Sequence, residues 1–239
     1  MKKYKTLSIV IPVYNESTYI TRCLQNVIQT DLKGWKKEII VIDDGSTDNS
    51  LKILEQFSRS VFKLHIIISS QNLGKGASLK KGIEKATGDI IIVQDADLEY
   101  DPSDYIVILK KYEEDSTYVV YGSRVLGSKL FHNYDANIFF LIGGLMLTRF
   151  VNFAFKTKIT DQATCYKSWR TSLSKPLLDY CTGYGFEFEV EMTAYFAKDN
   201  VIHEVPIHYY PRTIEHGKKI RTIDFLKSLY MILVCKFKK

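Results

Sequence analysis

The chain has 239 residues, of which 46% are hydrophobic, 25% charged and 13% aromatic, and it carries a formal net charge of +6. This composition excludes intrinsic disorder and a collagen-like fibre, and the length suits one globular domain. The mild basic excess is compatible with nucleic acid, an anionic membrane or a phosphorylated ligand, and it does not choose among them.

The first hundred residues alternate between short apolar runs and segments with helical spacing. We predict strands over residues 7–13, 38–43, 64–68 and 90–94, and helices over 17–29, 48–57 and 75–86. The runs are apolar almost throughout, as in parallel strands that helices cover on both faces. The alternation therefore predicts a doubly wound α/β fold with a mostly parallel sheet.

The second half has a less regular pattern. We predict strands over 118–121 and 165–169, a strand or a pair of strands broken by Pro206 over 201–210, a helix over 185–198, and apolar helices over 134–155 and 223–234. No linker rich in Pro, Gly or Ser divides the chain. We therefore expect one compact domain, with residues 1–125 and 126–239 as its two halves.

Cysteine usage and the apolar segments bear on where the protein works. Cys23, Cys165, Cys181 and Cys235 form no CxxC pair and no zinc spacing, so we predict buried, reduced thiols in a reducing compartment. The amino terminus has no small-residue cleavage site and predicts a strand, not a signal peptide. The longest uncharged stretch, residues 136–148, is shorter than the roughly 20 residues that span a bilayer. We expect a cytoplasmic protein without its own transmembrane anchor.

Polar residues follow the apolar runs where the predicted strands end. In open α/β sheets ligands bind outside the carboxyl ends of the strands, so we expect these residues to line one edge. Asp95, Asp97 and Glu99 directly follow the fourth strand. Carboxylates at this spacing can reach one hard cation, Mg²⁺ or Mn²⁺, which keeps sites free for substrate phosphates. A solvated turn with unrelated acids is the alternative.

Two further motifs lie at predicted strand ends. Asp43 and Asp44 end the second strand, where a carboxylate can accept hydrogen bonds from a base or ribose. The alternative is a tight turn in which Ser46 or Asp48 caps the next helix. Lys75 lies between two glycines before a predicted helix, an arrangement that suits an anion, with a simple turn as the alternative.

The order of these motifs resembles that of family 2 glycosyltransferases with the GT-A fold. The matching segments are residues 9–16, 43–46, 74–76, 88–89, 95–99 and 122–124. Segments 160–167, 204–207 and 210–220 resemble the subgroup that is similar to dolichyl-phosphate mannose synthase. Enzymes of that subgroup transfer a sugar from a nucleotide donor to a polyprenyl phosphate with inversion.

The resemblance implies roles for individual residues. Those for the nucleotide sugar are Pro12, Tyr14, Glu16, Asp43, Asp44, Lys75, Asp95 and Ala96. Asp95, Asp97 and Glu99 would face the metal, and Asp95, Asp97 and Arg124 are the candidate catalytic residues. Those for the acceptor phosphate or donor diphosphate are Arg124, Lys129, Arg212 and Lys218. The segment after Arg124 is expected to be a loop that carries Lys129 where mannose synthases often have a second Arg.

The nature of the acceptor decides whether a general base is needed. A polyprenyl phosphate is already an anion, whereas a sugar hydroxyl would need a base, for which Glu187 and Glu189 are the candidates. Their alternative is the solvated side of a helix start, where acids suit the dipole. The apolar segments 134–155 and 223–234 predict helices that lie in the membrane interface, with burial against the sheet or in a dimer as the alternative.

We predict an inverting, metal-dependent transferase that moves a hexose from a nucleotide diphosphate sugar to dolichyl or undecaprenyl phosphate at the cytoplasmic membrane face. Residues 1–125 would bind the donor and residues 126–239 the acceptor. By resemblance of segments 160–167 and 210–220, a UDP-hexose of glucose type is favoured, with GDP-mannose as the alternative. A membrane-protein partner would be compatible with this attachment.

Two other functions stay open. One is a family 2 transferase acting on a glycan hydroxyl in capsule or lipopolysaccharide assembly. The other is a catalytically silent nucleotide-sugar-binding protein, against which the intact Asp95 and Asp97 pair argues. The basic residues are spread and not interleaved with stacking aromatics, which argues against nucleic acid as a partner.

Overall fold

A seven-stranded β-sheet organises the computed structural model, which describes residues 5–59, 64–114, 116–131, 138–212 and 222–238. Its strands are β1 (Thr6–Val13), β2 (Lys36–Asp43), β3 (His65–Ile68), β4 (Ile90–Val93), β5 (Val119–Ser123), β6 (Lys167–Arg170) and β7 (Ile202–Pro206). Their spatial order is β3-β2-β1-β4-β6-β5-β7. Strand β6 is antiparallel to β4 and β5, whereas the other pairs are parallel, so the remaining strands of this sheet all run one way.

Helices flank this sheet and confirm the predicted α/β class. They are α1 (Ile20–Gln29), α2 (Ser50–Arg59), α3 (Lys75–Lys85), α4 (Tyr105–Glu114), α5 (Arg124–Phe131), α6 (Ile138–Phe155), α7 (Ser174–Tyr180), α8 (Phe188–Asp199) and α9 (Thr222–Phe237). Single-turn 3-10 helices, Pro102–Asp104 and Thr171–Leu173, precede α4 and α7.

The core explains why the apolar runs become central strands. Ile9 of β1 lies between Ile39 of β2 and Ile92 of β4, and all three side chains are buried. Helix α1 turns Ile20 and Leu24 toward this core because residues four apart share one helix face. Full burial of each such side chain contributes about 1.5–3 kcal/mol.

Helices α4, α5 and α7 are not among the elements predicted from the sequence. Helix α4 has a readable signal, because the Asp101 side chain caps the preceding turn at Pro102 and apolar residues then recur at helical spacing. The segment after Arg124 was predicted to be a loop, and it is helix α5. Gly127 lets α5 approach β7 closely, since an added Cβ would lie 1.9 Å from the Ile207 carbonyl oxygen.

Several element boundaries differ from the prediction for a visible reason. Helix α8 begins at Phe188 and not at 185, because the Glu187 carboxylate accepts hydrogen bonds from the Tyr184 and Gly185 amides. Over residues 201–210 the strand β7 ends at Pro206, the predicted break, and Tyr209 then forms an isolated antiparallel bridge with Tyr100. All four cysteines are buried and unpaired, as predicted.

Helices α6 and α9 pack together beside the main core. Their contact is built around Leu147, Val151 and Ile232, with Val190 of α8 beneath it. Within the described ranges, no helix combines the length and the apolar character needed to cross a membrane.

Candidate active site

The carboxyl ends of the parallel strands form one edge of the sheet, and the predicted polar residues collect there. Val13 and Asp43 pair at the ends of β1 and β2, and Asp95 follows β4. Because β6 runs the opposite way, its first residue, Lys167, lies at this same edge. The loop before β6 brings Asp161 alongside Arg124.

Arg212 forms ion pairs with Asp97, which is predicted to bind metal, and with Glu16, which is predicted to bind the nucleotide sugar. Its Nη2 atom lies 2.8 Å from Asp97 Oδ2, and its Nη1 atom lies 3.2 Å from Glu16 Oε2. The guanidinium also lies over the Tyr19 ring, 5.1 Å from its centroid. An arginine far along the chain thus closes over the turn that carries Asp97.

Glu99 holds the Arg212 segment in place. Its Oε2 atom accepts a hydrogen bond from the Tyr209 hydroxyl at 2.9 Å, and its Oε1 atom accepts one from the Arg212 amide at 2.8 Å. The Tyr210 amide donates to the Glu99 carbonyl. Both carboxylate oxygens of Glu99 thus hold the segment from Tyr209 to Arg212, and its role as a metal ligand stays a prediction.

Asp97 lies at the centre of an excess of negative charge. Burial, together with the charges of Asp95 and Glu99, raises the pKa of Asp97 to about 7, although Arg212 acts in the opposite direction. The turn after it is tight, since Leu98 has a φ of 64°. A divalent cation bound by oxygen ligands would supply the missing positive charge.

The donor set fits a metal shared with substrate. In the part of the chain that the structure describes, no three acidic, histidine or cysteine side chains form a ready-made cage. Mg²⁺ sites of nucleotide-binding enzymes commonly use one or two carboxylates and complete the shell with phosphate oxygens and water. Asp95 and Asp97 match that arrangement in residue type and position.

Asp95 is the first member of a buried chain of alternating charges. Lys75 Nζ lies 2.9 Å from Asp95 Oδ1 and 2.8 Å from Glu189 Oε1. Glu189 Oε2 lies 3.1 Å from Lys167 Nζ. The Lys75 ammonium, predicted to meet the nucleotide sugar, is thus paired with two carboxylates of the chain. Lys167 was not predicted as a site residue. The only signal for it in the sequence was its place in segment 160–167, which carries the family resemblance.

Glu189 does not fit the predicted role of a general base. Burial alone would raise the pKa of Glu189, but the charges of Lys167 and Lys75 outweigh it and lower that pKa to about 2. Such a weak base takes up a proton poorly near neutral pH. Glu187 Oε1 accepts backbone hydrogen bonds from Tyr184 and Gly185, whereas its buried Oε2 has no hydrogen-bond partner within the described residues, so Glu187 as the base stays a prediction. The alternative of a solvated helix face is wrong for Glu189, whose side chain is 13% exposed.

Asp43 and Asp44 differ in whether both of their carboxylate oxygens have hydrogen-bond partners. Asp44 accepts hydrogen bonds from the Leu73 and Gly74 amides, so it shapes the turn before α3 and does not face outward freely. Asp43 Oδ2 accepts one from the Ser46 amide, whereas its buried Oδ1 has no hydrogen-bond partner within the described residues. A buried acceptor of this kind is costly unless a ligand satisfies it. A base or ribose donor would do so.

Other predicted donor-site residues lie around these acids. Pro12 is half-buried in β1, and Tyr14 is half-buried just after that strand. Ala96 is buried in the main core. The Glu16 amide donates to Ser50 Oγ at 2.8 Å, and Asp48 accepts from the Ser50 amide, so the predicted helix cap by Asp48 is confirmed.

Arg124 is held rigidly at the β5 end of the edge. Its Nε and Nη2 atoms lie 2.7 and 2.8 Å from the two carboxylate oxygens of Asp161. Glu204 in turn accepts hydrogen bonds from the Thr160 and Asp161 amides. The guanidinium carbon lies 4.9 Å from the centroid of the Tyr209 ring. Asp161 and Glu204 were predicted only as parts of motifs, and the structure assigns them to holding Arg124.

The remaining predicted cations are less informative. Lys129 is exposed in the last turn of α5, and no loop carries it. Lys218 lies outside the described residues. Arg124 and Arg212 are therefore the predicted phosphate contacts that the described structure brings to the edge, with the Tyr209 ring beside Arg124 and the Tyr209 hydroxyl on Glu99.

Sequence comparison now identifies the family. The family model described as "Glycosyl transferase family 2" matches residues 8–177. Undecaprenyl-phosphate 4-deoxy-4-formamido-L-arabinose transferase of Proteus mirabilis (strain HI4320) is 35% identical over 126 residues, which make up 52% of this chain and 38% of that protein. The matched region thus spans well under half of that relative.

Solved glycosyltransferases share the architecture. Glucosyl-3-phosphoglycerate synthase from Mycobacterium tuberculosis, in complex with Mn²⁺, uridine diphosphate (UDP) and glucosyl-3-phosphoglycerate, has a TM-score of 0.65 at 16% identity, covering 97% of this chain and 80% of that one. S. aureus TarS 1–349 in complex with UDP has a TM-score of 0.63 at 20% identity, covering 96% and 65%. The fold is therefore GT-A, and the chain belongs to glycosyltransferase family 2.

Proposed function

We propose that this glycosyltransferase moves a hexose from a nucleoside diphosphate to a polyprenyl phosphate. The observation that carries the acceptor part is a groove beside Arg124 that is apolar along its walls and cationic at one position. The similarity to an undecaprenyl-phosphate transferase supports the same acceptor class. Residues 1–125 would then bind the donor, and residues 126–239 the acceptor.

The groove lies between α5, α6 and the loop before β6. Its volume is about 390 Å³. Val125 and Thr160 line it and adjoin Arg124 and Asp161 in sequence, so the groove lies near the Arg124–Asp161 ion pair. Arg149 is its charged member. The other lining residues are Ile142, Leu145, Met146, Thr148, Asn152 and Ile159. An isoprenoid chain with a phosphate at its end matches this mixture of apolar wall and positive charge.

The outer faces of α6 and α9 support contact with a lipid surface. Leu147, Val151 and Ile232 already fill the contact between these helices, so the remaining apolar side chains point elsewhere. Exposed are Leu141, Ile142, Leu145, Met146, Phe150 and Phe153 of α6, with Ile223, Leu226, Tyr230, Leu233, Val234 and Phe237 of α9. So many exposed apolar side chains on two helices that pack together are uncommon on a soluble surface and suit helices in the membrane interface. We propose attachment to the inner face of the membrane.

The negative charge at the carboxyl ends of the strands supports a dependence on a divalent metal. Asp95 and Asp97 would hold Mg²⁺ or Mn²⁺, and a bound metal would neutralise charge on the departing diphosphate. A solved neighbour that contains Mn²⁺ with UDP supports this cofactor. Asp43 Oδ1, buried and available, would accept a hydrogen bond from the base or ribose.

The chain's own residues account for the remaining chemistry. One phosphate oxygen of the acceptor forms a bond to the anomeric carbon while the bond from that carbon to the diphosphate breaks, which inverts the centre. The acceptor is already an anion, so no general base is needed, in keeping with the ion-paired Glu189. Arg124, oriented by Asp161, and Arg212 would offset the repulsion between two anionic substrates.

The donor is proposed to be a UDP-hexose of glucose type, with GDP-mannose as the alternative. The test incubates the full chain with labelled UDP-glucose, UDP-galactose, UDP-GlcNAc or GDP-mannose, Mn²⁺, and vesicles containing undecaprenyl phosphate. Acid-labile label in the organic phase is expected with one donor. If label were found only on an added glycan, the acceptor would be a glycan hydroxyl and not a lipid phosphate.

A matched pair of variants tests the groove itself. Leu145→Asp places a negative charge in the wall, and Val201→Asp places one at an exposed position before β7. With farnesyl phosphate in solution, we expect KM for the lipid to rise about tenfold or more in Leu145→Asp. The Val201→Asp enzyme should keep the original KM. Equal KM values in the two variants would place the acceptor elsewhere.

A further inference from the structure

Four charged residues, Asp95, Lys75, Glu189 and Lys167, form what we term the buried charge chain. Their side chains are between 1% and 23% exposed, and the charges alternate in sign along the chain. The four residues come from the end of β4, the start of α3, the first turn of α8 and the start of β6. The ion pairs thus connect elements that are far apart in sequence.

Lys167 anchors the far end of the buried charge chain. Its ammonium donates to the Gln162 and Thr164 carbonyls at 2.8 and 2.6 Å, and it pairs with Glu189 at 3.1 Å. An ammonium group has three N–H donors, and these contacts use all of them. Lys167, whose ammonium is itself held by three contacts, therefore fixes the position of the Glu189 carboxylate.

Lys75 fixes the near end. Its Nζ atom lies 2.9 Å from Asp95 Oδ1 and 3.1 Å from Asp95 Oδ2, so one ammonium faces both oxygens of the carboxylate. Glu189 contacts the same ammonium at 2.8 Å from the other side. The carboxylate plane of Asp95 is consequently set by Lys75, and the place of Lys75 is set by Glu189.

We propose that Lys75 and Glu189 are positioning residues for Asp95, which hold its carboxylate in the orientation that the nucleotide and metal require. This inference rests on the proposed donor site and is independent of the acceptor. It replaces a direct phosphate contact for Lys75 and a general-base role for Glu189. Groups that orient a metal-side carboxylate commonly contribute 10–100-fold to affinity, although they never touch the ligand.

A purely structural ion pair would behave differently. Buried ion pairs often add little to the free energy of unfolding, because desolvation offsets their attraction. A structural role would therefore change the melting temperature and leave the ligand affinity of the folded protein unaltered. A positioning role changes the affinity for nucleotide and metal together.

The experiment measures binding of UDP and of GDP in the presence of Mn²⁺ by calorimetry, and binding of Mn²⁺ alone by electron paramagnetic resonance. Glu189→Gln keeps the side-chain volume, Lys75→Met removes the charge, and Lys75→Arg retains it. Lys85→Met, at an exposed position of the same helix α3, is the control. Circular dichroism melts identify how much of each variant is folded.

Glu189→Gln and Lys75→Met are expected to weaken nucleotide affinity about tenfold or more, with Lys75→Arg recovering most of it and Lys85→Met unchanged. If Glu189→Gln kept the nucleotide affinity and lost only turnover, Glu189 would be a base and the inference wrong. Unchanged affinity in folded Lys75→Met would also overturn it. If the unsubstituted chain bound neither nucleotide, the donor site itself would fail, whereas binding without transfer to lipid would remove only the acceptor proposal.

Discussion

Two regions of the molecule differ in their chemistry. One is the edge formed by the carboxyl ends of the parallel strands, here called the donor edge, which is rich in buried charges; the other is the exposed apolar surface of α6 and α9, here called the α6–α9 surface. At the donor edge, buried charges such as Asp97 and Glu189 each meet an ion-pair partner, and the backbone is pinned by Asp44 and Glu99. On the outer face of α6 and α9, apolar side chains lie in the open. The first region carries fixed charges that suit phosphates, and the second carries apolar area that suits a lipid phase. An enzyme joining a water-soluble donor to a lipid would need both.

Removing Asp97 should have the largest effect, because it deletes the carboxylate at the centre of the acidic edge. We expect Asp97→Asn to lower the transfer rate at least about a hundredfold in the radiolabel assay. Asp31→Asn, at an exposed position, is the matched control and should retain activity. Retained activity in Asp97→Asn would show that the donor edge works without this charge.

Arg124 should rank next, since it is a fixed cation and its geometry comes from Asp161. Arg124→Ala is expected to lose about a hundredfold in kcat/KM. Arg124→Lys should lose about tenfold, because an ammonium cannot make the paired contacts to both oxygens of Asp161. If Lys were as good as Arg, a point charge would suffice and the Asp161 contact would be incidental.

The α6–α9 surface should show a smaller effect that depends on lipid. A combined Phe153→Ser and Phe237→Ser change removes two rings that are each 80% exposed. We expect about tenfold weaker binding to vesicles in cosedimentation, since partial burial of each ring contributes a fraction of the roughly 1.5–3 kcal/mol of full burial. Ile106→Ser, on exposed α4 surface, should bind vesicles as before. If both variants lost vesicle binding equally, the α6–α9 surface would not be the membrane-binding surface.

The smallest effect should come from the competition between Arg212 and a metal for Asp97. Arg212→Ala removes the guanidinium contacts to Asp97 and Glu16. We expect Mn²⁺ alone to bind a few-fold more tightly, about 2–5-fold, because the cation no longer displaces the guanidinium from Asp97. Electron paramagnetic resonance of Mn²⁺ measures this. Weaker Mn²⁺ binding would mean that Arg212 shapes the site and does not compete for it.

Local signals predicted much of the sheet and the site. The strands over residues 7–13 and 38–43 were recognisable because their apolar runs are buried on both faces, and Asp95 and Asp97 were recognisable because they follow such a run. Helix α5 was missed because Arg124–Phe131 has few buried positions and hence a weak pattern. The acids at the edge were predicted correctly in place, and their functions stay predictions.

The sequence by itself determined the α/β class, the edge at which polar residues gather, and the family, because these follow from short-range patterns and motif order. Only the tertiary structure decided which charges meet. Asp97 and Arg212 are 115 residues apart, and Asp44 contacts amides 29 and 30 residues away. Such pairings depend on strand order and on the antiparallel direction of β6. They pair Glu99, Glu189 and Lys75 with other residues of the chain, where the sequence had predicted a metal ligand, a general base and a contact to the nucleotide sugar.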